Sequence, residues 1–387
     1  MAADPGRAIL TDLDILALDI DNRLRLARSI LESKSGRGQS GEPDRLLWLS
    51  GLQRFVNADR AVLVRQTITQ RGRLVATQLG VQIIDVATIA SRETAHAWLP
   101  ARFAHVDGPG CASIEARADT QLKGLAQVPG NLVGFLRYEA LLSSSYRCLN
   151  ALQALRTASD VGGTLPQPTA TVLAGHALLT LIVAALQDAG SLDTVRIEDM
   201  RERVERAVTL GEPDSDRILS LLGRADDVVR TFVERLHAAY VGSGAQRQEI
   251  TGPSLRDLVA DPPSWLDRYI DLVQKLRANP AVARQLPQTA ELACFDALAG
   301  DSNYRADAFN HLFTPEHRYL LAVAIKCLHD IAGRQIGANV DPALDLDFSR
   351  SAPLIPDRTQ PTDGSHDASP PPRTARQVSE IPEPPAG

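Results

Sequence analysis

TDLDILAL at residues 11–18, followed after a turn by ILESKSG at 30–36, sets acids among alternating apolar residues. Alternation of period two marks a half-buried strand. Thr11–Leu18 and Leu24–Lys34 are therefore predicted as the arms of a β-hairpin around the turn-like stretch Asp19–Arg23, in which Asp21-Asn22 suits a positive φ. Period two puts Glu32 and Lys34 on one face, and an antiparallel neighbour brings Asp14 beside them. Two carboxylates converging at a sheet edge make a hard oxygen site, the kind that Mg²⁺ or Mn²⁺ takes. Such an ion polarises a phosphodiester and lowers the pKa of a bound water, while an ammonium such as Lys34 neutralises charge developing on the phosphate. A solvated Glu–Lys pair on an edge hairpin, contributing little, is the plainer alternative.

Working outward, Ser35–Pro43 is a polar loop dense in Gly and Ser, and Asp44–Phe55 carries Leu46, Leu49, Leu52 and Phe55 at helical spacing. Ala61–Val64 reads as a short buried strand, Gln70–Leu79 as a helix stopped at Gly80, Val81–Ile84 as another buried strand and Val86–Trp98 as helix. The order ββαβα β with a following helix predicts a mixed sheet with helices on its faces. Gly36-Arg-Gly-Gln-Ser-Gly41 matches a dinucleotide-binding GxGxxG pattern. The strand before it ends in Glu32 and Lys34, however, where a first nucleotide-binding strand is apolar on both faces. The next strand runs into Arg65 rather than an acid. The glycines are better read as a loop beside the acids.

With those surroundings the hairpin resembles the acid strand and the ExK strand of the restriction-endonuclease-like superfamily, whose active site is written PD-(D/E)xK. EPDRLLWLSGL at 42–52 is similar to the helix that follows ExK, and ADRAVLV at 58–64 and LGVQIID at 79–85 resemble the next two strands. The resemblance covers about residues 8 to 90. It implies that Asp14 and Glu32 bind the metal with help from the Ser33 carbonyl, that Lys34 is the catalytic lysine and Asp12 an accessory acid. Gln39 would meet substrate. Arg37 and Arg45 read equally as phosphate contacts and as ordinary surface charges. Family members place a helix and a strand before the acid strand, whereas ten residues precede Thr11 here, so the core is expected to be truncated. A face carrying Leu13, Ile15 and Ala17 then needs a cover, either a helix encoded upstream or one from the region after Pro100.

Beyond about Pro100 the strand pattern stops. Leu132–Leu155, Thr169–Leu186, Asp226–Tyr240 and helices opened by Ser264 and by Thr314-Pro315-Glu316 predict an all-α region. The expected organisation is an α/β domain over 1–100, a helical domain over 110–345 and a Pro-rich disordered tail over 351–387. The most apolar run, Val172–Leu186, falls short of the ~18 residues of a membrane span, and no apolar leader follows Met1, so no membrane partner is expected. Four dispersed cysteines without a CxxC pair suit a reducing cytoplasm. The eight histidines do not cluster, and Ser143-Ser-Ser145 reads as an accident of a helix face. The net charge of −6 gives no whole-chain nucleic-acid footprint, but arginines crowd the first 73 residues, and a local basic surface can still meet phosphates. The sequence thus points to a Mg²⁺-dependent nuclease acting on DNA, with a helical accessory domain that offers a protein partner a surface. The alternative is a nuclease fold that binds DNA or protein without cutting.

Overall fold

A computed structural model describes residues 14–34, 41–95, 109–124, 128–210, 215–244, 246, 262–300 and 302–350. These fall in one compact unit, Met1–Ala352. Asp12, Leu13, Arg37, Gln39, most of the glycine loop and the stretch from Ser351 lie outside the described residues.

Strands β1 (Ile15–Ile20), β2 (Leu26–Lys34), β3 (Arg60–Arg65) and β4 (Gln82–Asp85) form one sheet in that order. β1 and β2 are antiparallel, with Ile15 opposite Leu31, and the two following pairings are parallel. The mixed sheet is as the patterning predicts. Helices α1 (Glu42–Phe55) and α2 (Gln70–Leu79) lie on one face, where Leu46, Leu49 and Ala76 pack on Ile30, Ala61 and Leu63. Pro43 and two acids open α1. Thr69 caps α2 by accepting the Gly72 N–H at 2.8 Å, and Gly80 closes it at φ 68°. Helix α3 (Val86–Ala95) follows. On the other face, Val62 is buried, but Ile15 remains 51% exposed, so the cover expected over that face does not reach it.

The remainder is helical: α4 (Pro109–Gly124), α5 (Gly130–Gly134), α6 (Ser145–Gly162), α7 (Thr169–Ser191), α8 (Ile197–Leu210), α9 (Ser215–Gly242), α10 (Leu266–Ala278), α11 (Pro280–Ala283), α12 (Leu286–Leu292) and α13 (Pro315–Ala332). The centre is α7, on which α4, α6, α10, α12 and α13 pack. It is apolar all round because it is surrounded. Its 23 residues exceed the apolar run read from the sequence, since Gln187 and Asp188 continue the helix. By length and composition it is able to cross a membrane, yet 83% of its apolar window is buried within the protein. The predicted helix Leu132–Leu155 is broken. α5 passes through a π-helical turn at Phe135–Glu139 and a 3₁₀ turn, and Ser144 is extended at ψ 156°. Ser143 Oγ donates to the Glu139 carbonyl and Ser145 Oγ to Asp188, both at 2.9 Å. The serines are the break itself, because short hydroxyl side chains compete for backbone partners. The helix expected to be capped by Ser264 starts instead behind Trp265, without a side-chain cap.

The hairpin turn joins the two regions. Its Asp21 accepts the N–H groups of Arg23 and Arg25 at 2.8 and 2.9 Å, and the Arg25 N–H does most to hold this carboxyl below its usual pKa. The positive φ falls on Leu24, at 64°, and not on Asp21-Asn22. That conformation costs about 1–2 kcal/mol for an L-residue. It is tolerated because Leu24 is fully buried in the helical core. A Cβ on Gly190 of α7 would come within 2.5 Å of the Leu24 carbonyl oxygen, so only glycine permits this approach. Arg277 donates to the Arg23 carbonyl at 2.8 Å, Arg284 to Asn22 Oδ1 at 2.7 Å, and Arg28 to the Leu141 and Ser143 carbonyls at 2.8 and 3.0 Å.

Leu24→Ala is expected to lower stability by about 2–5 kcal/mol in urea denaturation, whereas Ile15→Ala changes it little; equal effects would show that the hairpin tip is not a core element. At the start of α13, burial pushes the His317 imidazole down to about 4, with nearby His311 adding to it. The unfolded chain binds this proton near pH 6.5 and the folded one near 4. This contribution is therefore complete above pH 6.5 and is lost as pH falls towards 4, by roughly 1–3 kcal/mol. The pH slope of the denaturation midpoint in that window should flatten in His317→Gln.

Candidate active site

The register sorts the chemistry-bearing residues by face. Ile30 lies opposite Leu16 and Ala61, Glu32 opposite Leu63, Lys34 opposite Arg65, and Arg65 opposite Asp85. Successive residues alternate faces, so Glu32 and the backbone positions of Lys34, Arg65 and Asp85 share the face that α1 and α2 cover. Asp14 stands one residue before Ile15 and is tied to the second strand: its Oδ2 accepts the Ser33 N–H at 2.8 Å. The structure thus brings Asp14 against the Glu32-Ser33-Lys34 segment. Of Lys34 only the backbone is described.

Asp14 is exposed, but Glu32 is 1% exposed. Arg45 of α1 donates to Glu32 Oε1 through both Nε, at 3.0 Å, and Nη2. The same guanidinium lies 4.2 Å from the centroid of the Trp48 ring. Stacking orients it, and its planar fork suits a carboxylate. Arg45 therefore points into the domain towards an acid. Other early basic residues are also engaged within the chain: Arg25 with Asp21, Arg60 with Asp19 and Arg73 with Asp85, while Arg28 reaches two carbonyls. Arg23, Arg54 and Arg71 are exposed.

A second buried group went unnoticed in the sequence. Glu42, at the start of α1, is 1% exposed. It accepts from Thr69 Oγ1 at 2.9 Å and lies 3.7 Å from Arg65 Nη1. Its carboxylate rests on Gly72, where a Cβ would stand 2.0 Å from Oε1. The signal available beforehand was an arginine ending a buried strand, which demands a partner. Asp85 completes the row at the strand ends. The Thr88 hydroxyl, then its N–H, hold this carboxyl below its usual pKa, and Asp85 caps α3 at 2.6–2.7 Å.

As a donor set, Asp14 and Glu32 are oxygens of the type a hard divalent cation takes. In the arrangement observed, the Arg45 guanidinium occupies Glu32 Oε1, so an ion using that oxygen would have to displace it. Among the described residues no group of three or more His, Cys, Asp or Glu is gathered for a metal. His176 is bonded to Glu115 at 3.2 Å. No protein-family model, curated protein or solved structure matches the chain.

Neutralising these acids one at a time should separate their surroundings. Glu42→Gln leaves the buried Arg65 without this partner and should cost about 3 kcal/mol. Glu32→Gln should cost less, about 1–2 kcal/mol, because Arg45 is 36% exposed and can be solvated. Asp14→Asn should stay within about 0.5 kcal/mol. Thermal melts that rank the three differently would contradict the pairing.

Proposed function

We propose that the chain is a Mg²⁺-dependent nuclease of the restriction-endonuclease-like kind, acting on DNA, with Asp14, Glu32 and Lys34 as its active-site residues. The observation that supports this reading best is the bond from the Ser33 N–H to Asp14, which gathers an acid and an ExK segment at one end of a mixed sheet. In this reading Asp14 and Glu32 hold the ion, and Mn²⁺ can replace Mg²⁺. When bound, the ion polarises the phosphodiester and lowers the pKa of its water. Lys34 contributes a cation against charge developing on the phosphate. Arg45 positions the Glu32 carboxylate in the absence of metal and gives it up on binding. The helical region is its accessory part.

A second reading is favoured by one observation, the seating of Arg45 on the buried Glu32. There the guanidinium permanently replaces the metal, and the sheet is a binding module that does not cut.

Incubating the full chain with plasmid DNA and Mg²⁺ distinguishes the two. Cleavage that is abolished by EDTA, by Asp14→Asn and by Lys34→Ala supports the first. DNA binding that weakens steeply with salt, without cleavage in Mg²⁺ or Mn²⁺, supports the second. Neither cleavage nor binding would sink both.

A further inference from the structure

Helix α9 is 28 residues long, yet none of its side chains belongs to an apolar core cluster among the described residues. Its main packing partner among the described residues is α8. Of the fourteen large apolar side chains exposed among the described residues, six lie on α9: Leu221, Val228, Val229, Phe232, Leu236 and Tyr240, each between 47% and 69% exposed. They are not scattered. Leu222, Ala225, Val229, Phe232, Leu236 and Ala239 recur at steps of three, four, three, four and three, a 3.5-residue repeat, and Leu221, Val228 and Tyr240 widen the same stripe. The opposite side is charged, with Asp227 and Arg230 paired to each other at 2.6 Å.

We propose that α9 pairs with α9 of a second copy of this chain. Apolar residues alternately three and four apart line a narrow seam of the kind along which two helices pack. A helix of comparable length with the same spacing fits it. Among the described residues no other helix exposes such a seam, so the identical helix of a second copy is the match the chain itself provides. The scale is adequate. A 28-residue helix extends about 42 Å, and a stable pair takes about 800 Å² from each partner. Phe232 and Tyr240 each carry about 150–250 Å², and five aliphatic side chains and two alanines lie along the same stripe. An apolar patch of this extent on a lone helix marks an interaction surface. The proposal stands independently of any nuclease activity.

Sedimentation of the full chain across micromolar concentrations tests it. Self-association is expected, and the double variant Val229→Glu/Phe232→Glu should weaken it at least tenfold, while Arg230→Glu on the charged side leaves it unchanged. The substituted side chains lie outside the core, so circular dichroism should stay as in the parent chain. Should the double variant fail to fold, oxidative cross-linking answers the same question: Val229→Cys, at the middle of the seam, should link two copies whichever way the helices run, and Arg230→Cys should not. A monomer at every concentration, whether or not it takes up another protein or a lipid vesicle, overturns the proposal. So does self-association that the folded double variant retains.

Discussion

The contact between the Leu24 turn and Gly190 of α7 is the constraint on which the arrangement of the chain depends. A leucine at φ 64° is an unfavourable backbone choice, and it is held by full burial in a core that belongs to the helices rather than to the sheet. Gly190 lets the two backbones meet, and three arginines close on the turn and the start of β2. The hairpin therefore has two ends with different duties. One is locked into the helical core. The other, about 27–30 Å away along the nine residues of β2, carries Asp14 and the Glu32-Ser33-Lys34 segment. Rigid attachment at one end leaves the acid-bearing end free of the helical core while fixing its direction.

That far end is held by charge as much as by apolar packing. The sheet face under α1 and α2 is apolar at Ile30, Ala61 and Leu63 and becomes polar where the parallel strands stop, at Glu32, Arg65 and Asp85. Each acid there has a specific partner, Arg45, Arg65 or Thr88. Buried pairs of this kind contribute little net stability compared with apolar side chains of the same size, but losing one member is costly. They specify how α1 and α2 seat on the sheet. Glu32 therefore stands in two roles, as a structural partner of Arg45 and as a residue of the proposed metal site.

Much of this was legible in local sequence, for reasons that are local. Period-two alternation places β1 and β2. Thr69 and Gly80 bound α2, and Thr314 with Pro315 and Gly333 bounds α13, because caps and turns depend on residues a few positions apart. The acid and ExK segments could be recognised as facing each other, and Asp14 does meet Ser33. The seat of the positive φ and the direction of Arg45 are settled by residues 13 or more positions distant, which periodicity does not sense. The break at Ser143–Ser145 is in part local, since Ser143 bonds to Glu139 four residues back.

By itself, then, the sequence determined the alternation of strands and helices, the switch to an all-helical region and the gathering of acids on one hairpin. These follow from side-chain period and backbone preference. Only the tertiary structure decided that Leu24 would leave its own sheet for another core, that Glu32 would be buried against Arg45 and Glu42 against Arg65, and that α9 would be left with its apolar stripe uncovered. The physical reason is that burial and charge pairing are properties of what arrives from elsewhere in the chain. A residue's own neighbours in sequence carry no record of it.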